Sequence, residues 1–237
     1  MAAVDDTLLA PPSAPEALLW EREADGSVVC HLCAHRCRIR PGLRGICGVR
    51  QNADGTLVTL VADRIVAAEA DPIEKKPFFH FLPGSLAYSI ATVGCSFHCR
   101  FCQNWAIAQW PRERSGPIPG ELTSPRAIVA AARAARCAAI AYTYTEPTIF
   151  FELALETGWL AVEAGLRNVF VTNGYMTAEA LALIAPVLHG ANVDLKSFSD
   201  RYYRKVCSAT LAPVLETIQR MRERSIWVEV TTLLIPG

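Results

Sequence analysis

From Leu86 onward the chain alternates short apolar runs with longer stretches of helical periodicity. Leu86 to Val93 (LAYSIATV) predicts a strand, and Ser124 to Arg136 a helix with Ser124 as N-cap and Pro125 at its first position. Ala139 to Thr145 predicts a second strand, Ile149 to Ala164 a helix, and Asn168 to Thr172 a third strand ended by Asn173-Gly174. Thr177 to Leu188 reads as a helix interrupted or bent near Pro186, and Ala191 to Leu195 as a fourth strand. Asp200 to Arg224 reads as mostly helical and Ile226 to Leu234 as a fifth strand. Strands separated by helices imply parallel pairing through crossover connections. The predicted class is α/β, as a partial (β/α) barrel or an open sheet.

The fourth strand favours the barrel. Asn192, Asp194 and Lys196 fall at alternating positions and so share one face. Strands of parallel sheets normally read as apolar throughout, and an Asp and a Lys in a dry core are costly unless paired or binding something. The C-terminal end of such strands is where barrel enzymes place their sites. Glu229, in the fifth strand, fits the same polar interior. The sequence reaches Gly237 directly after a strand with no covering helix, leaving an apolar edge, so a C-terminally truncated barrel is expected.

Upstream the pattern changes. Residues 1–16, with Pro11, Pro12 and Pro15 among small residues, read as a flexible leader. Residues 17–84 read as a small cysteine-rich N-terminal unit and linker, with turns at Pro41-Gly42, Asn52 and Asp54-Gly55 and a strand near Leu57 to Val61. Asp71 to Gly84 reads as a loop carrying Lys75, Lys76 and His80, which either meet an anionic substrate or are solvated. Residues 85–237 then form the core. The 237 residues are 51% hydrophobic and 19% charged, which excludes a disordered chain. The 23 basic and 23 acidic side chains cancel, and this disfavours a nucleic-acid binder that works by neutralising phosphates.

Nine cysteines remain to be explained, and an odd number cannot form a complete disulfide framework. The N-terminus lacks the basic start and apolar run of a secretory signal, and no apolar stretch reaches the roughly 20 residues needed to span a bilayer. A reducing cytoplasmic location is therefore expected, with closely spaced cysteines binding metal or doing redox chemistry. Cys95, Cys99 and Cys102, spaced C-x3-C-x2-C, directly follow the first strand of the core. Three thiolates can hold three irons of a [4Fe-4S] cluster and leave the fourth iron open to a ligand that is not protein. Zinc on three Cys plus His98 is the alternative, made awkward because His98 immediately precedes Cys99.

Cys95-x3-Cys99-x-Phe101-Cys102 resembles the signature of the radical S-adenosylmethionine (SAM) superfamily. The surrounding GCSFHCRFCQNW, Ile73-Glu74-Lys75-Lys76-Pro77, Tyr142-Thr143-Tyr144-Thr145-Glu146-Pro147, Val171-Thr172-Asn173-Gly174 and Asn192-Val193-Asp194-Leu195-Lys196 are similar to the radical SAM component of the AmmeMemoRadiSam system. That group is related to pyruvate formate-lyase activating enzymes. The resemblance implies reductive cleavage of SAM to a 5′-deoxyadenosyl radical, an external electron donor of flavodoxin or ferredoxin type, and Memo-like partners. It implies SAM contacts at Thr145 and Glu146, where Tyr144 and Thr145 replace two glycines of activating enzymes, at Thr172 and Asn173, where Val171 replaces an aspartate, at Asp194 and Lys196, and an adenine contact at Phe101. Taken singly, Glu146 could cap a helix N-terminus, Asp194 and Lys196 could be an internal ion pair, and Phe101 could be core.

Cys30, Cys33, Cys37 and Cys47 form a second set suited to zinc, a single iron or a second Fe-S cluster, with a structural metal preferred. His31 and His35 read as exposed neighbours, Cys137 as a buried small residue, and Cys207 as a position shared with the family. Two other functions fit: a glycyl-radical enzyme activase, disfavoured because no ferredoxin-like insertion follows the motif, and an inactive metal-binding fragment.

Overall fold

A computed structural model describes residues 14–114 and 116–235. Its centre is a six-stranded sheet of β1 (Ala67–Pro72), β2 (Leu86–Ala91), β3 (Ala139–Tyr142), β4 (Arg167–Thr172), β5 (Gly190–Asp194) and β6 (Trp227–Thr231). Neighbours in the sheet are neighbours in sequence; β2 to β6 run parallel and β1 pairs antiparallel with β2. Between the parallel strands lie α1 (Pro125–Ala134), α2 (Phe151–Glu163), α3 (Ala178–Ile184) and α4 (Ala212–Glu223). A strand order that never reverses is the winding of a barrel, whereas a doubly wound sheet reverses at a switch point.

The helix boundaries follow from local chemistry. Ser124 accepts a hydrogen bond from the Ala127 N–H and Thr177 one from the Ala180 N–H, each capping the helix it precedes. Pro186 stops α3 near Ile184. The stretch from Asp200 is helical to Cys207 but breaks at Ser208, whose φ is +57°, before α4 resumes at Ala212. The fifth predicted strand, read to Leu234, ends at Thr231.

Alternating residues divide the sheet between two faces. Ile90, Ile140, Tyr142, Phe170, Ala191 and Val193 pack against the helices in the main core. Ala87, Ala139, Ala141 and Val169 form a second cluster with Ile73 and Phe78, flanked by Phe81 and Leu82. The segment read as a loop therefore fills the second face of the sheet. Asn192 Nδ2 donates to the Pro77 carbonyl at 2.9 Å, and Glu229 accepts the N–H groups of Phe79 and His80 at 2.9 and 3.1 Å. Asn192 and Glu229 are register partners on this face, so the polar interior expected of both is present.

Two boundaries differ from expectation. Asp71 begins no loop: Ala67–Pro72 is an edge strand whose Ala-Ala-Glu-Ala sequence has little strand propensity and is held by its pairing with β2. Pro15 and Glu16, read as leader, pair with the strand Thr56–Thr59: the Pro15 carbonyl accepts the Thr59 N–H at 3.0 Å, and Glu16 bridges Val58. Residues 1–13 lie outside the described residues.

The cysteine-rich unit carries a three-stranded antiparallel sheet and a hairpin of Arg50–Ala53 with Thr56–Thr59. It shares the main core with the barrel helices. Arg50 is buried and salt-bridged to Glu152 of α2, which also accepts the Leu18 N–H at 2.7 Å. Among the described residues no helix is long and apolar enough to cross a membrane.

The plug on the second face generates a prediction. Phe78→Ala is expected to cost about 3–5 kcal/mol in urea denaturation, because a fully buried ring is lost from a closed cluster. His80→Ala, at a side chain 78% exposed, should stay within about 0.5 kcal/mol. Equal effects of the two substitutions would mean that the segment does not pack on the sheet.

Candidate functional site

The parallel strands all deliver their C-terminal ends to one edge of the sheet. Past the end of β2 the chain turns at Gly94, whose φ is +98°; an added Cβ would stand 2.8 Å from the Cys47 carbonyl. Only glycine permits this approach, and it brings the two cysteine sets together. Cys95, Cys99 and Cys102 then lie on a loop held from the other side by residues 203–207. The His98 N–H donates to the Cys207 carbonyl and the Arg100 N–H to that of Val206, each at 3.0 Å.

At the end of β3, Glu146 is 2% exposed and its carboxylate accepts four hydrogen bonds. These come from Thr148 N–H at 3.0 Å, Thr148 Oγ1 at 2.6 Å, Thr172 Oγ1 at 2.7 Å and Asn173 N–H at 2.8 Å. Burial raises its pKa against the opposing pull of those donors. Glu146 thus caps its own turn, as one sequence alternative held, and also ties the end of β3 to that of β4. The Thr145 hydroxyl donates to the Thr92 carbonyl at 2.9 Å. Asn173 Nδ2 lies 3.0 Å from Ser96 Oγ and 3.9 Å from Cys95 Sγ.

From β5, Asp194 receives Lys196 Nζ at 2.6 Å. Burial works against a charged Lys196, but Asp194 outweighs it and raises the ammonium, with the Cys99 and Cys95 sulfurs acting in the same direction. Lys196 Nζ lies 6.0 Å from the centre of the Phe101 ring, which is half-buried against Tyr202. All seven polar or aromatic residues expected at the site therefore stand with the three cysteines on one edge.

Burial pushes the Cys95 and Cys102 thiols up, and neighbouring negative charge adds to this. Cys99 is raised first by its hydrogen bond with Cys207 and then by burial. Such thiols shed their protons together only against concentrated positive charge, which fits the irons of a cluster. Among the described residues no three His, Cys, Asp or Glu side chains stand as ligands of a single metal ion. His98 packs edge-on against Trp105 at 4.8 Å, a different engagement from the zinc alternative.

In the second set, burial drives Cys33 well up and Cys47 to about 11; the Cys33 shift includes repulsion from Cys30, Cys47 and Cys37. Cys33 thus feels the other three thiols electrostatically, and Cys47 feels Cys30 and Cys37. Arg50 Nη1 is 3.6 Å from Cys30 Sγ. Arg112 spans the two sets: its guanidinium donates to the carbonyls of Ile46 and, at 3.2 and 3.3 Å, of Cys95 and Phe97.

His35 is not the exposed neighbour expected. Its Nε2 lies 2.8 Å from the Ser96 carbonyl and its ring packs on Tyr175 at 4.8 Å, because the cysteine-rich unit docks on the radical-motif loop. His31 is half-buried between Arg36 and Glu21. Cys137 is buried as expected. Lys76 is neither solvated nor open to a ligand: it is 1% exposed, with Nζ 2.8 Å from both Asp71 Oδ2 and the Tyr144 hydroxyl. Burial works against ionised Asp71, but hydrogen bonds from Lys75, Lys76 and Tyr144 hold it well below the carboxylate range. Arg112, Asn104 and Asp71 were missed from the sequence; only Asn104, two residues past the motif, carried a signal of position.

The chain matches the Radical SAM superfamily over residues 89–237. It is 43% identical over 222 residues to MJ0808, an uncharacterized protein of Methanocaldococcus jannaschii, covering 94% of this chain and 65% of that protein. It is 24% identical over 171 residues to MJ0674 of the same organism, covering 70% and 45%. The chain thus spans less than two thirds of the length of these relatives. Streptococcus suis SuiB bound to S-adenosylmethionine aligns at 12% identity with a TM-score of 0.47, covering 62% of this chain and 34% of that one. With the family match extending over more than half of its length, this chain belongs to the radical SAM superfamily, a family of enzymes that implies a [4Fe-4S] cluster and SAM.

Proposed function

We propose that Cys95, Cys99 and Cys102 hold the [4Fe-4S] cluster and that SAM binds across the strand ends beside it, in a radical SAM enzyme of AmmeMemoRadiSam type. The observation that carries this reading is the convergence of the Cys95 thiol with Asn173 and Glu146, from three different strand ends. When bound, the cluster supplies the electron for reductive cleavage of SAM to methionine and a 5′-deoxyadenosyl radical.

The chain's own residues bind and orient. Glu146 keeps its carboxylate on four internal donors, so its share is to hold the backbone of the Thr143–Glu146 turn, beside which the SAM ammonium sits. Asn173 and Thr172 order the end of β4 beside Cys95. Lys196 and Asp194, a close pair facing the thiols, supply adjacent charges for the zwitterionic end of SAM. Phe101, half-exposed, offers a face to adenine. The fold is then a partial (β/α) barrel whose concave face is closed below the site by residues 73–82, which keeps water from a reactive radical. An external one-electron donor and Memo-like partners belong to the same reading, as does a cytoplasmic location. Cys30, Cys33, Cys37 and Cys47 are the residues that would hold a second metal, as zinc, iron or a further Fe-S cluster; in this structure their side chains do not stand as ligands of a single ion.

Anaerobic reconstitution is expected to load about four irons on the radical motif and to yield dithionite-dependent 5′-deoxyadenosine from SAM. Cys99→Ala should abolish that product; retained product would overturn the assignment. The triple variant Cys95→Ala, Cys99→Ala, Cys102→Ala should still bind metal at the second set, measured by elemental analysis. Removing that metal with a chelator should lower the melting temperature. A metal-free triple variant that melts unchanged would refute the second site.

A further inference from the structure

Tyr144 has an unusual backbone for its type. Its φ is +62°, and the Thr145 N–H donates to the Thr143 carbonyl at 2.7 Å, closing a three-residue turn with Tyr144 at its centre. This is the rare hand of the γ-turn, and a bulky residue at positive φ persists only where its surroundings over-determine it. Here they do. The Tyr144 carbonyl accepts Asn104 Nδ2 at 2.7 Å. The Tyr144 hydroxyl donates to Asp71 Oδ2 and accepts from Lys76 Nζ, both at 2.8 Å, and that ammonium lies 4.2 Å from the centre of the Tyr144 ring.

The anchor is built from residues distant in sequence. Asp71 is the penultimate residue of the edge strand β1, and Lys76 follows the short turn Ile73–Lys75. A buried ion pair adds little stability on its own account, and removing one partner leaves the other exposed to the cost of burial. Its contacts lead instead to Tyr144, the non-glycine residue held at positive φ just past the end of β3.

We propose that the Asp71–Lys76 pair, acting through the Tyr144 hydroxyl, is a positioning device: it holds the Thr143–Glu146 turn in the left-handed backbone that the turn needs to meet the SAM ammonium. Tyr144 thereby reaches by side-chain tethering a conformation that glycine reaches by lacking a Cβ. The inference rests on the reading above that this turn meets SAM. Lys76 and Asp71 are positioning residues; neither touches the ligand.

The test uses the full chain, reconstituted anaerobically, with dissociation constants measured by calorimetry for SAM and for 5′-methylthioadenosine, which keeps the adenosine but lacks the amino-acid group. Lys76→Met and Tyr144→Phe should each weaken SAM by about tenfold, given the cost of an untethered positive φ, and leave methylthioadenosine unchanged. Tyr144→Gly in the Lys76→Met background should restore SAM affinity, since glycine adopts the turn without a tether. If Lys76→Met fails to fold, Tyr144→Phe carries the comparison and Tyr144→Gly, expected to bind SAM as the parent does, replaces the rescue. Equal loss of both ligands, no rescue by glycine, or unchanged SAM affinity in Lys76→Met and Tyr144→Phe would overturn the positioning role. Failure of the parent protein to bind SAM would instead overturn the underlying reading of the site.

Discussion

A carboxylate at 2% exposure, that of Glu146, accepts four hydrogen bonds at the point where β3 and β4 end. Water is excluded there, so each donor counts for more than on the surface, and a missing one would leave a buried lone pair unmet. Thr148 supplies two donors from the turn that follows β3, and Thr172 and Asn173 supply two from the end of β4. Asn173 is thereby fixed with its amide beside Ser96 and Cys95. The cysteine loop, the Thr143–Glu146 turn and the start of the next connection all take their positions from this carboxylate.

The sheet face opposite the helices adds a second constraint. An open α/β sheet exposes that face unless something covers it, and here residues 73–82 do so, with Phe78 among Ala139, Ala141 and Val169. Small residues on the strands leave room for the aromatic rings of the plug. The same segment carries Lys76 up to Tyr144, so the packing below the site and the geometry of the site are one arrangement.

The cysteine-rich unit is joined to this edge through polar contacts as well as through the core. His35 meets the Ser96 carbonyl, Arg112 joins the Ile46 carbonyl to those of Cys95 and Phe97, and Gly94 lets the Cys47 backbone approach. Two sets of buried and half-buried thiols flank one guanidinium. That arrangement lowers the cost of gathering negative sulfur on both sides of it, and it makes the environment of one set dependent on that of the other.

Much of this was legible in residue order. Capping residues Ser124 and Thr177, the apolar runs of β2 to β5 and the C-x3-C-x2-C spacing depend on short-range chemistry, which a sequence displays directly. The period of two in Asn192 and Asp194 showed which face they share. What could not be read was whatever depends on a partner far along the chain. Ala67–Pro72 has no strand propensity of its own and is a strand because β2 lies beside it. Lys76 looks like any loop lysine until Asp71 and Tyr144 close around it, and His35 looks exposed until the Ser96 loop arrives. Residue order alone carried the alternation of strands and helices from β2 onward, the superfamily and the cysteine spacing that suits a cluster. Only the tertiary structure decided that residues 73–82 fill the open face of the sheet and that Tyr144 is held at positive φ, because burial and strain arise when distant segments compete for the same space.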